Sequence, residues 1–467
     1  MGREGPHVSI EAARELVRDA GVHSIRVVFA DQHGLLRGKT IAATGLEAAF
    51  ERGIAVPGSL LHKDTGNVYA LGVWDRTGNP TLDALVGARN MVLRPDASSI
   101  RLLPWAEGTA IVLSDLETLE GEPISLSTRR LCAQAVARLG TLGHVFKAGL
   151  ELEFHLYRVG SHGELEDIHP GWDLLGEDRL DRIEPVLEPI RVGLGALGFP
   201  PATIEAELGP SQIEMTFGPA VGLDVADQAV LVRSAIRHIA RRNGFQATFM
   251  SRPKLREESF PSGWHLHQSL VDGSVDRGGG GRTGASLFMP TDDTSLLSPV
   301  GRQWVAGLLK HAAASCMLTT PTVNGYKRFR PRAVTPDRIT WSREHRGAML
   351  RVVGGAGDPA TRVENRAGDP AANPYLYVAS QILSGLDGVT GSLTPPAASE
   401  SPYEPASGEL LPRTLGEAIN AFATSAMYRT VWGDEVVDYL VALKQSEWRR
   451  FVAAVTDWEH REYFDLF

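Results

Sequence analysis

The chain has 467 residues, 43% of them hydrophobic and 22% charged, with a formal net charge of −9 and a pI near 5.9. That is ample for a large core and for two or three domains. The acidic balance argues against a nucleic-acid binder, which presents a basic face, and no block of Lys and Arg offers itself to an anionic membrane.

The opening MGREGPHVSI lacks the apolar core of a signal peptide, and Pro6 stands where a myristoylation site wants Ser or Thr. No run approaches the ~18 apolar residues of a membrane helix, so the cytoplasm is the expected location. Residues 10–20 read as a helix from the spacing of Ile10, Ala13, Leu16 and Val17. VHSIRVVFADQHGLLRGKT reads as a β-hairpin turning at Asp31, Gln32, His33 and Gly34. Leu103, Pro104 and Trp105 precede a further strand, TAIVLSDL, and a first domain of mixed strands is expected over 22–117. A helix from Arg129 to Leu142 opens a second domain, 124–467. There the strands AGLELEFHLY, PSQIEMTF, WHLHQSL and TRVENR alternate with helical stretches such as 221–243 and 298–316. Gly193, Gly195 and Gly198 spell GxGxxG, but the preceding RLDRIEPVLEPIR reads as a helix, so a helix terminus is expected and not a dinucleotide site. Gly278 to Gly281 reads as a surface loop, and residues 395–412 as a long loop before the final helices. Cys132 and Cys316 sit far apart in apolar stretches, as buried thiols do.

Charged side chains inside strands are costly unless paired or bound to metal, and here they recur. In GLELEFHLY, Glu151 and Glu153 share one strand face while Leu150, Leu152 and Phe154 take the other. Alone, that describes an amphipathic strand with one wet face. In IEAELGPSQIEMTF, Glu207 ends a strand, Gly209-Pro210 turns, and Gln212 and Glu214 then share a face opposite Ile213, Met215 and Phe217. Glu205 and Glu207 share a face as well. Like charges at this density repel unless cations lie among them, and oxygen-rich clusters suit Mg²⁺ or Mn²⁺. In WHLHQSL, His265, His267 and Ser269 fall on one face. Two histidines alone are more often satisfied core groups, but a mixed carboxylate and imidazole set favours Mg²⁺ or Mn²⁺ with phosphate over tetrahedral zinc. The last cluster is cationic: Lys327, Arg328 and Arg330 in NGYKRFRP, then Arg346 and Arg351, then Arg362, Glu364 and Arg366. Arginines aimed at a metal site suit a reaction that moves phosphate between carboxylates, although any one of them alone reads as a surface ion pair.

Taken in order, these segments resemble the glutamine synthetase family from about residue 22 to the C-terminus. The motifs that carry the resemblance are Glu151-x-Glu153, the Glu207 to Glu214 block with GPSQ inside, His265-x-His267-Gln-Ser-Leu, Asn324-x-Tyr-Lys-Arg328, and Arg362-x-Glu364-x-Arg366 with DPAANPYL. The resemblance implies an α+β fold, with an N-terminal β-grasp domain followed by a catalytic domain of antiparallel strands flanked by helices. It also implies a dodecamer of two hexameric rings. By motif position, Glu153, Glu207 and Glu214 would hold the metal that orients glutamate, and Glu151, His265 and Glu364 the metal on the ATP phosphates. Arg328, Arg346 and Arg366 would bind glutamate and the transferring phosphoryl group, and Arg351, His267 and Ser269 would serve ATP. Glutamate would attack the γ-phosphate to give γ-glutamyl phosphate, from which an amine displaces phosphate.

The family's ammonia-using members carry an Asp in the first domain and a flap Glu six residues after the Arg of Tyr-Lys-Arg; the matching positions here are Pro57 and Val334. Where the family has Asn-Gly-Ser-Gly-Met, this chain reads Phe260-Pro261-Ser262-Gly263-Trp264, and a family lysine is replaced by Pro359. The expectation is an ATP-dependent ligase joining the γ-carboxylate of L-glutamate to an organic amine, with Trp264 and Val334 near the amine. A true glutamine synthetase using ammonia, a ligase for a different acid, and a non-enzymatic scaffold are the alternatives. The last predicts eroded ligands, whereas all six metal positions are intact.

Overall fold

The computed structural model describes residues 9–253, 260–273, 284–329 and 334–467. The predicted Gly278 to Gly281 loop and Arg330 lie outside the described residues. The first helix, α1 (Ile10–Asp19), is capped by the Ser9 side chain and buries Ala13 and Val17. Six strands follow with two short helices: β1 (Ser24–Ala30), β2 (Leu36–Ala42), α2 (Leu46–Arg52), β3 (Ile54–Pro57), α3 (Pro80–Ala84), β4 (Asn90–Pro95), β5 (Arg101–Leu102) and β6 (Thr109–Glu117). They form one sheet in the order β2-β1-β6-β4-β3, with β5 on β6. Only β1 and β6 run parallel. The predicted hairpin is β1–β2, register Ser24 to Ala42, turning at Gly34 with φ +73°.

The second sheet is built from β7 (His144–Val159), β8 (Leu165–Asp167), β9 (Pro201–Ala206), β10 (Gln212–Phe217), β11 (Ala220–Val221), β12 (Phe245–Thr248), β13 (Trp264–Asp272), β14 (Trp341–Arg343), β15 (Leu350–Val353) and β16 (Arg362–Asn365). Its main path is β14-β15-β16-β13-β7-β10-β9. All its pairings are antiparallel, as expected, except β14–β15, which is parallel. Strand alternation gives this sheet two unlike faces. One is apolar and buried: Leu150, Leu152 and Phe154 of β7, Ile213 and Met215 of β10, Leu266 and Leu270 of β13. Helices cover it: α4 (Thr128–Gly140), α5 (Glu177–Ala196), α6 (Asp224–Arg242), α7 (Pro299–Lys310), α8 (Ala312–Thr319) and the almost wholly buried α9 (Pro374–Thr390). The other face carries the carboxylates and histidines. The chain closes with α10 (Leu415–Ala423), α11 (Ala426–Val452) and α12 (Asp457–Tyr463).

One local expectation is refined and another is met. The stretch 298–316 is two helices and not one: His311, at φ −102° and ψ 8°, ends α7, and its ring and Lys310 both reach Asp387 at 2.8 Å. The GxGxxG glycines do belong to a helix end. Gly193 lies inside α5, where a Cβ would come within 2.5 Å of Ile239, and Gly198 follows the helix at φ +95°.

The first sheet is joined to the second region through buried polar contacts. The hairpin tip inserts between α6 and α9. Arg233 donates to the Gly34 carbonyl at 3.1 Å, and Asn373 to that of Asp31 at 3.0 Å. A Cβ on Gly34 would sit 2.9 Å from Arg233 and from the Asn373 backbone, so the tip needs glycine for its fit as well as its φ. Arg129, 3% exposed, pairs with Asp96 just after β4, with Asp115 of β6 and with Asp227 of α6. Pro57 lies exposed on the edge strand β3.

Candidate active site

The site is a single face of the second sheet. Cross-strand register sets Glu214 beside both Glu153 and Glu205, Glu151 beside His265, and Glu364 beside both His267 and Arg351. A charge gradient results. Carboxylates crowd β9, β10 and β7, histidines stand on β13, and arginines flank the carboxylate of β16.

Three groups bring potential ligand atoms within 4.8 Å of one another: Glu151 with His267 and Glu364, Glu151 with Glu214 and His265, and Glu205 with Glu207 and Glu214. Five of the six expected metal residues fall in these groups, Glu153 in none of them, and the five are grouped differently from the expectation. Glu151 is shared by two groups, His267 enters one, and Glu205 joins Glu207 and Glu214. Glu153 Oε2 accepts from Gln212 at 2.7 Å, and its Oε1 lies 3.7 Å from His265 Nε2. His265 Nδ1 bonds Glu151 and lies 3.6 Å from Glu364. Arg362 donates to His267 Nδ1 at 3.1 Å, so that ring carries its proton on Nε2 and gives it to Glu151 at 2.8 Å.

Burial sets the electrostatics. Together with the neighbouring carboxylates, it lifts the Glu214 carboxyl to about 10 and the Glu153 carboxyl to about 8. Glu207 is raised too, chiefly by burial. Burial would also raise Glu151, but His265 and His267 outweigh it and hold Glu151 below the usual range. Glu364 is likewise held low against its burial, by Arg366 and the histidines. A cluster in which Glu153 and Glu214 keep protons at neutral pH for want of positive charge is suited to a divalent cation, and its oxygen-rich donors fit Mg²⁺ or Mn²⁺.

The linkage has a definite sign. Carboxyls raised in the folded state stabilise it below their unfolded pKa and lose that contribution as pH rises towards their folded values. Metal-free protein should therefore melt progressively lower between pH 6 and 9. Mg²⁺ should raise the melting temperature by an amount that grows with pH, reaching about 2.7 kcal/mol of stabilisation at a hundred times its dissociation constant. A Mg²⁺ shift no larger at pH 8.5 than at pH 6 would refute this coupling.

A hydrogen-bonded brace stands behind the carboxylates. His155 Nδ1 meets Ser262 Oγ at 3.1 Å; Gln212 Nε2 reaches Ser262 Oγ at 3.1 Å and the Pro261 carbonyl at 3.3 Å while donating to Glu153. Burial holds the His155 ring down at about 3, so it stays neutral. Gly263 is a required gap: a Cβ there would lie 2.7 Å from Arg328 and from His265, and 3.2 Å from Glu153. His155 and Ser262 carried no signal in the sequence beyond their spacing to Glu153 and His265.

The arginines divide into two kinds. Arg366 bonds Glu364 and donates to the Arg346 carbonyl at 2.9 Å. Arg351 bridges Glu364 at 2.9 Å and Glu344 at 2.6 Å. The Arg346 side chain is exposed. Arg328 is only 1% exposed and donates to the carbonyls of Ala367, Gly368 and Arg366, so it lies beneath the face beside Glu153 and does not open into it. Ser269 follows His267 on the same face, opposite Lys147.

The expected amine-side residues are not together. Trp264 is fully buried on the opposite face of β13, its ring 4.8 Å from Tyr377 and 6.0 Å from the Arg233 guanidinium. Strand alternation is the reason: Trp264 shares its side with Leu266, and His265 takes the other. Val334 is 48% exposed at φ +63°, and no contact among the described residues brings its side chain to the carboxylates.

No described helix is long and apolar enough to cross a membrane. Residues 125–463 match the family described as glutamine synthetase, catalytic domain. The chain is 40% identical to the gamma-glutamylanilide synthase of Acinetobacter sp, over 96% of this chain and 93% of that one. It is 30% identical to the glutamine synthetase of Methanosarcina mazei, over 98% of each. A solved structure of a GmaS/ADP complex superposes with a TM-score of 0.82 at 26% identity, covering 97% of this chain and 99% of the other.

Proposed function

The chain belongs to the glutamine synthetase family as an ATP-dependent glutamate–amine ligase, and from that premise we propose that its amine is an organic one, alkyl or aromatic, in place of ammonium. The observation that carries the proposal is the loss of both anionic groups the resemblance expects to meet ammonium, at Pro57 and Val334. Ammonium is small and strongly hydrated, and a site that takes it from water must replace that hydration with anionic groups. An amine with its own carbon surface gains instead by burying it, at ~25 cal/mol per Å². Similarity to an anilide-forming relative supports the same reading.

Family enzymes use ATP and divalent metals. Here Glu153, Glu207 and Glu214 would hold one ion with Glu205 beside them, and Glu151, His265 and Glu364 the other. When bound, such ions polarise phosphate oxygens and fix their geometry. The protein's own groups do the rest. Arg366 and Arg346 would supply positive charge to the glutamate carboxylate and the transferring phosphoryl group. Arg351, His267 and Ser269 would serve the nucleotide. Arg328 fixes the backbone turn under Glu153. The glutamate side-chain carboxylate attacks the γ-phosphorus of ATP, and ADP leaves. The amine nitrogen then attacks the activated carbonyl carbon, phosphate departs with the C–O electron pair, and the amine releases a proton.

Steady-state rates with ammonium, ethanolamine, putrescine, isopropylamine and aniline, at saturating L-glutamate and ATP, test the proposal. An alkyl or aromatic amine should exceed ammonium at least about tenfold in kcat/KM, which requires only ~1.4 kcal/mol of differential transition-state binding. Ammonium as the best substrate would return the chain to plain glutamine synthetase.

A further inference from the structure

The loop between β8 and α5 is held in an unfavourable conformation with little burial in return. Trp172 and Leu175 lie in the left-handed region at φ +62° and +59°, which bulky residues seldom adopt. Both are more than half exposed, as is Leu174. The loop is nonetheless pinned. The Trp172 N–H donates to the Leu208 carbonyl at 2.7 Å and the Leu175 N–H to that of Ala206 at 3.0 Å, while Asp173 pairs with Arg179 at 2.8 Å. Gly171 presses on the Gly209–Pro210 turn so closely that a Cβ would come within 2.4 Å of the Pro210 nitrogen. These bonds run along residues 206–208 and set the loop beside Glu205 and Glu207.

The Trp172 ring meets Phe260 at a right angle, 6.4 Å between centroids. Phe260 in turn stacks its Cβ against Gly209, where an added Cβ would be 2.7 Å away. Its chain neighbours Pro261 and Ser262 hold the Gln212 that holds Glu153. Two perpendicular rings thus form a corner at the acidic end of the face, and one of them is open. Backbone strain that burial does not offset is characteristic of ligand-contacting segments.

We propose that this corner receives the carbon frame of the amine, and that Trp172 is a specificity-determining residue favouring aromatic amines over branched alkyl ones; the inference rests on the organic-amine reading. A flat aryl group contacts both rings at once in the edge and offset geometries aromatics prefer, whereas an isopropyl group fills the corner poorly. The acidic face beyond draws the electropositive N–H end inward, leaving the carbon frame outermost.

The test measures kcat/KM for aniline and for isopropylamine in the wild type, Trp172→Ala and Trp172→Phe, with saturating L-glutamate and ATP. The aniline-to-isopropylamine ratio should fall about tenfold in Trp172→Ala, mainly through a higher KM for aniline, and Trp172→Phe should bring it back to within about threefold of wild type. An unchanged ratio in Trp172→Ala overturns the inference, because the ring then does not touch the amine. A Trp172→Phe ratio as low as that of Trp172→Ala overturns it too, because loop conformation alone would then be at issue. A wild type that prefers ammonium removes the reading beneath it; that failure is seen without either variant and so is distinct.

Discussion

Glu364→Ala should lower turnover at least about a thousandfold, or ~4 kcal/mol of transition-state stabilisation, in protein that remains folded. Glu364 is fully buried and is the anion on which Arg351, Arg366 and His265 converge. Its removal deletes an expected metal ligand and leaves two guanidinium groups and an imidazole facing one another. Breaking a buried pair in this way costs about 3–5 kcal/mol, which a protein of this size with its core intact is expected to survive. Glu364→Gln separates the effects, since it keeps the volume and one acceptor but loses the charge; it should fold better than the alanine variant and be about as inactive. Circular dichroism and steady-state ATP turnover are the measurements. More than a tenth of wild-type activity in either variant would end the assignment of Glu364 to the reacting centre, and the same holds for Glu153→Ala.

A stability effect as large is expected at Arg129. Its guanidinium meets Asp227 at 2.9 and 3.0 Å, Asp115 at 2.9 Å and Asp96 at 2.7 Å, and the Tyr375 hydroxyl also donates to Asp227 at 2.7 Å. Burial disfavours its charge, but Asp227 and its neighbours more than compensate and raise its pKa. Arg129→Met leaves three carboxylates facing one another around an apolar side chain, at a cost of about 3–5 kcal/mol. Adding Asp227→Leu should recover part of that loss, because it removes one of the stranded charges. Urea midpoints of the single and double variants decide the matter; a loss below about 1 kcal/mol for Arg129→Met would show the cluster to be solvated in solution.

Much of the site was readable from parity alone. Glu151 with Glu153, His265 with His267, and Gln212 with Glu214 lie on the face that strand alternation assigns them, because neighbouring strands in register bring like faces together. The same rule places Trp264 with Leu266 on the buried side, and putting it beside the amine overlooked that. Other features have no periodic signature. The grouping of Glu205 with Glu207 and Glu214 depends on the register between β9 and β10, and the His155–Ser262–Gln212 brace on contacts across 107 and 50 residues. The break at His311 has no Gly or Pro within three residues to announce it. The left-handed backbone at Trp172 occurs where composition predicts the opposite, since only tertiary contacts to residues 206–208 hold it there.

The contacts that tie the first sheet to the end of the chain bear on the order of biosynthesis. Asp64 accepts from Ser446 at 2.8 Å and from Arg450 at 3.0 Å, and Leu61 from the Tyr439 hydroxyl at 2.8 Å, across separations of 378 to 386 positions. At translation rates of about 5–20 residues per second, these partners emerge roughly 20–80 s apart. Throughout that interval the nascent first sheet has its segment at residues 61–64 without its final cover. Closure of such distant contacts comes late and slowly in folding. A ribosome that stalls or terminates before α11 is complete therefore releases a chain whose earliest-made part lacks its last support, which makes the C-terminal quarter a checkpoint on the N-terminal one.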